Sequence, residues 1–92
     1  MDSTHFISAV ADYFDQMIPL ASDDELFAAG YLRGHFDLAV GTLEVAGAPF
    51  NQLELQAQVE QSLAQAIANG ELSSDDQQLV TGLWRQVQQL AA

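Results

Sequence analysis

Hydrophobic residues recur at intervals of three and four along four segments of the chain, which is the spacing of one face of an α-helix. The first segment ends at Pro19, because proline disfavours helical backbone in the residue before it. The third begins at Asn51 and closes at Asn69-Gly70, where glycine suits the left-handed backbone that follows many helices. The fourth begins at Ser74. The pattern predicts an all-α fold: a four-helix antiparallel bundle built from two helical hairpins.

Two similar stretches, SDDELFAAGYLRG and SDDQQLVTGLWRQ, begin at Ser22 and Ser74. Ser22 and Glu25 have the spacing of a capping box, in which the serine hydroxyl and the glutamate carboxylate each accept a backbone hydrogen bond at the start of a helix. Ser74 and Gln77 have the same spacing and predict a second capping box. The aspartates after each serine suit the positive end of the helix dipole. Either duplication or independent helix capping explains the repeated block.

The second segment, which runs to about Ala46, is apolar on two faces. One face carries Leu32, Phe36, Ala39, Val40 and Leu43, and the other carries Phe27, Tyr31, Leu38 and Val45. A helix with two apolar faces is expected to be buried on both of them. The second face is therefore predicted to meet either another part of this chain or another molecule.

Three glycines, Gly30, Gly34 and Gly41, lie inside this same segment. Each costs about 1 kcal/mol relative to alanine in a helix interior. Close approach of another backbone would explain them, because a Cβ atom at these positions would clash. The alternative is a bend or a break of the helix near Gly34 or Gly41.

The amino-acid composition indicates which binding partners and which cellular location to expect. The chain has 92 residues, no cysteine and a net charge of −11, with Arg33 and Arg85 as its only fixed positive charges. Such a surface repels phosphate backbones and anionic lipid, so nucleic acid and membranes are not expected partners. Residues 1–92 are expected to form a single helical domain. The absence of cysteine and of a basic N-terminal leader favours a cytoplasmic location.

No catalytic motif is present, so we expect no enzyme activity and no cofactor or metal site. Arg33 and Asp37 are one helical turn apart and predict a local ion pair. His35 is predicted to be a hydrogen-bonded interior or interface residue. A second hypothesis places a small molecule or anion at Tyr31, Arg33 and His35, since arginine beside glycines can bind a carboxylate or another anion.

The block ASDDELFAAGYLRGHFDLAV, from Ala21 to Val40, resembles the most characteristic block of the YfcL family of small bacterial proteins, and SDDQQLVTGLW resembles its second Ser-Asp-rich block. The resemblance implies a bacterial, cytoplasmic protein. It brings no known activity, so it assigns no catalytic residue to this chain.

These observations favour a non-enzymatic protein-interaction or assembly module. The partner is either an unknown protein or a second copy, which would make a homodimer. The candidate surface consists of Phe27, Tyr31, Arg33, Gly34, His35 and Leu38. The alternative remains a small-molecule or anion-binding domain centred on Tyr31, Arg33 and His35.

Overall fold

The computed structural model describes residues 3–91 and forms the predicted all-α bundle of four helices, with no strand in that range. The helices are α1 (Ser3–Met17), α2 (Asp23–Ala46), α3 (Gln52–Ala68) and α4 (Ser74–Gln89), and a short 3₁₀ helix (Ile18–Leu20) follows α1. Within residues 3–91 no helix has both the length and the apolar character that crossing a membrane requires.

The starts of α2 and α3 and the end of α3 follow the sequence signals. The capping box at the start of α2 is complete: the Ser22 hydroxyl accepts from the backbone N–H of Glu25 at 3.2 Å, and the Ser22 N–H donates to the Glu25 carboxylate at 3.1 Å. Asn51 caps α3 by accepting from the N–H of Glu54 at 2.9 Å. Gly70, with φ of 75°, takes the left-handed conformation beyond the end of α3, as its position predicts.

The start of α4 differs from the prediction. Ser73 is the capping residue, and its hydroxyl accepts from the N–H of Asp76 at 3.2 Å. The predicted Ser74–Gln77 capping box is therefore wrong, because the Gln77 side chain instead donates to the carbonyl of Leu72 at 3.1 Å. Capping one residue earlier lets Leu72 enter the core, where it is buried. The two Ser-Asp-Asp blocks thus occupy different positions relative to their helices.

Helix α2 is central to the bundle and packs along α3 and α4. Its first predicted face is buried: Leu32, Phe36 and Ala39 are at most 3% exposed. Phe36 also meets Phe6 of α1 in an edge-to-face contact, with 6.0 Å between ring centroids. One face of α2 is thus covered by all three other helices, and its opposite face points away from the core.

Candidate interaction surface on helix α2

The second apolar face of α2 is largely bare in the chain. Phe27, Leu38 and Val45 are 50%, 65% and 87% exposed. They belong to a row that follows alternating intervals of four and three along the helix, which we call the α2 stripe: Phe27, Tyr31, Gly34, Leu38, Gly41 and Val45. This interval is that of a helix face that packs against another helix.

The glycines of α2 do not break the helix, which is continuous from Asp23 to Ala46. The alternative of a break near Gly34 or Gly41 is therefore wrong. A Cβ atom built on Gly30, Gly34 or Gly41 would meet nothing within 4 Å. No element among residues 3–91 therefore makes the close approach that would explain these glycines. Instead, Gly30 and Gly34 line a shallow depression of about 310 Å³ between Tyr31, His35 and Leu38.

Two polar contacts join the side of the α2 stripe that faces α3 to other parts of the fold. The Tyr31 hydroxyl donates to Glu71 Oε1 at 2.9 Å, and His35 Nδ1 is hydrogen-bonded to the Ser62 hydroxyl. The Tyr31 and His35 rings lie 4.8 Å apart between centroids, and Phe27 continues the row at 6.1 Å from Tyr31. His35 is thus a hydrogen-bonded interface residue between two helices, as predicted. These contacts fix the aromatic edge of the depression before any partner binds.

The ionisation of Tyr31 gives a test of this edge. Partial burial, followed by the hydrogen bond to Glu71 and the charge of that carboxylate, raises the pKa of Tyr31 to about 12. The unfolded chain loses this proton nearer pH 10, so the free energy of unfolding should fall as the pH rises from about 10 to 12. We expect Glu71→Gln to lower the pKa, as measured by phenolate absorbance against pH, with Tyr31→Phe assigning the signal. A pKa unchanged in Glu71→Gln would contradict the contact.

Arg33 lies apart from this surface. Its guanidinium pairs with Asp15 of α1 at 3.3 Å, not with Asp37 as predicted, and its Cζ atom lies 5.8 Å from the centroid of the Phe14 ring. Helix α1 passes on that side of α2 and offers both a carboxylate and an aromatic face, which together outcompete a local pair worth only ~0.2–0.5 kcal/mol. Arg33 consequently lines a separate small cavity against α1.

The structure therefore brings together five of the six candidate residues: Phe27, Tyr31, Gly34, His35 and Leu38. Arg33 is not among them, so the three residues that motivated an anion site do not converge. Sequence reasoning left Gly41 and Val45 out of the candidate surface, although continuing the interval of three and four from Phe27 reaches both. It had no signal for Ser62 and Glu71, which come from other parts of the fold.

A second open groove lies on another side of the molecule, between the end of α1 and α4. It has a volume of about 450 Å³, and its lining includes Leu20, Tyr13 and Leu83. Leu20 is 88% exposed. An exposed leucine away from the α2 stripe supplies a control position for tests of that surface.

Comparison with known proteins places the chain in a sequence family. The family model described as YfcL protein matches residues 4–89. The uncharacterized protein YfcL of Escherichia coli (strain K12) is 47% identical over 87 residues, which cover 95% of this chain and 94% of that protein. No solved structure matches the chain.

Proposed function

This chain belongs to the YfcL family, and we propose that it is a non-enzymatic protein-interaction or assembly module whose docking surface is the α2 stripe. The observation that carries the proposal is the combination on one helix face of exposed large apolar side chains with glycines that have open space where a Cβ atom would lie. Phe27, Leu38 and Val45 are at least half exposed, and the space beside Gly34 and Gly41 is empty.

The energetic cost of an exposed apolar face and of glycines inside α2 supports this function. Contiguous exposed apolar surface marks interaction sites in soluble proteins. Each interior glycine of α2 destabilises the helix by about 1 kcal/mol relative to alanine, and no contact within residues 3–91 offsets this loss. A helix from another molecule would offset it, because its backbone could approach closely where α2 lacks Cβ atoms. The regular interval of three and four further favours a helical partner over a loop or a sheet edge.

Site-specific photo-crosslinking in cells tests this function. We would replace Leu38 by a photoreactive benzoyl-phenylalanine and, as the matched control, replace Leu20, which is also exposed but lies on the other groove. We expect a discrete adduct from position 38 and little from position 20. Mass spectrometry of the adduct then identifies the partner. Absence of any adduct at position 38, or equal yields at both positions, would contradict the proposal.

A further inference from the structure

We propose that the occupant of the α2 stripe is a second copy of this chain, with the two α2 helices packed antiparallel about a two-fold axis midway between Gly34 and Leu38. This inference rests on the proposed function and names its partner. The order of large and small residues along the stripe and the absence of charge on it support this partner, and the size of the stripe sets the affinity.

The stripe is complementary in shape to a second copy of itself that runs in the opposite direction. In the antiparallel register, Gly34 of one copy lies opposite Leu38 of the other, and Gly41 lies opposite Tyr31. Phe27 lies opposite Val45 at both ends. Each glycine of the stripe therefore receives a large side chain, as in the knobs-into-holes packing of paired helices. A two-fold interface requires such self-complementarity.

A parallel arrangement in register lacks this fit. Leu38 would then face Leu38 and Gly34 would face Gly34, so large residues would crowd one another at some layers and leave voids at others. Both overpacking and voids are destabilising. The alternation of bulk along the stripe therefore specifies the antiparallel direction.

The stripe itself carries no charged residue, which matters in a chain with a net charge of −11. Asp37 and Glu44 border one side of it. On this flanking side of the antiparallel pair, Glu44 lies beside Gly30 of the other copy, and Asp37 lies beside the other copy's Asp37. One pair of like charges is thus brought together beside the axis, and the remaining repulsion between copies is long-range and screened by salt.

The size of the stripe predicts a weak dimer. From Phe27 to Val45 it is about 27 Å long at the rise of an α-helix, and a helix is ~10 Å wide, which gives a footprint of roughly 300 Å² per copy. Stable interfaces bury about 800 Å² per partner. The two copies should therefore associate in a concentration-dependent equilibrium, which salt strengthens by screening their negative charge.

Analytical ultracentrifugation over micromolar to millimolar concentrations, at low and high salt, tests the dimer. We expect the mass to approach that of two chains at high concentration and the dissociation constant to fall with added salt. Leu38→Glu should abolish association while Leu20→Glu leaves it unchanged, with circular dichroism confirming that both variants remain helical. Asp37→Asn should tighten the dimer about two- to fivefold by removing the like-charge pair.

Single cysteines test the register, since the chain has none of its own. Under mild oxidation Asp37→Cys should form a disulfide-linked dimer, because the two copies of this position lie close together beside the axis. Val45→Cys should not, because its two copies lie at opposite ends of the interface. The reverse result would show a parallel pair and overturn the proposal.

The outcomes separate this inference from the proposed function. A monomer at millimolar concentration and high salt overturns the second copy as occupant. If the photo-crosslinked adduct at position 38 then contains a different protein, the interaction module stands and only its partner changes. If position 38 gives no adduct and the chain stays monomeric, both proposals fail.

Discussion

Replacing Phe36 by alanine is expected to lower the free energy of unfolding by about 3–5 kcal/mol, the range for removing a fully buried aromatic side chain. Phe36 is 3% exposed and contacts Phe6 across the α1–α2 interface. The substitution removes a ring from the layer where α2 meets α1 and leaves a cavity that the helices cannot fill. Urea unfolding followed by circular dichroism measures the loss.

The matched control is Phe27→Ala, which deletes the same ring from the same helix. Phe27 is 50% exposed and lies on the α2 stripe, so we expect a loss of about 1 kcal/mol or less when the experiment is run at low protein concentration. Helix propensity changes equally in the two variants, and the difference between them isolates burial. Equal losses would contradict the assignment of the two faces of α2.

The positions of the helices were predictable from sequence because periodicity and capping are local properties. Ser22 and Asn51 are followed three residues later by glutamate, and both cap helices as expected. The start of α4 was not predictable by the same rule. Ser73 and Ser74 carry identical hydroxyl groups, and the choice between them depends on whether Leu72 reaches the core, which is a property of the tertiary packing.

The candidate surface was predictable in part for the same reason. The two apolar faces of α2 follow from its period, and the second face contains Tyr31 and Leu38 as expected. The partner of Arg33 does not follow from its neighbours in sequence. Asp37 is the nearest acidic residue on the same side of the helix, but Asp15 is placed against Arg33 only by the packing of α1 on α2. Likewise, the sequence alone shows that the glycines of α2 lower the stability of the helix, but it does not show whether a neighbouring element approaches them.

Replacing Gly30, Gly34 and Gly41 together by alanine is expected to raise the free energy of unfolding by about 2–3 kcal/mol. Alanine is the better helix former, and the added Cβ atoms meet nothing within 4 Å in the chain. Thermal and urea unfolding at low concentration measure the gain. Gly47→Ala is the contrasting control: its φ of 79° is strained for any residue with a Cβ atom, so this variant should lose about 1 kcal/mol.

The same triple variant should lose association, because the methyl groups at positions 34 and 41 fill the holes that Leu38 and Tyr31 of a second copy would occupy. Gly82→Ala separates the two effects: it lies inside α4 with open space around it, so it should gain about 1 kcal/mol and associate normally. Stability and assembly then change in opposite directions only on the α2 stripe. A triple variant that is more stable and still dimerises would show that the glycines serve no interface, whereas one that is less stable would mean that a neighbour already covers them within the chain.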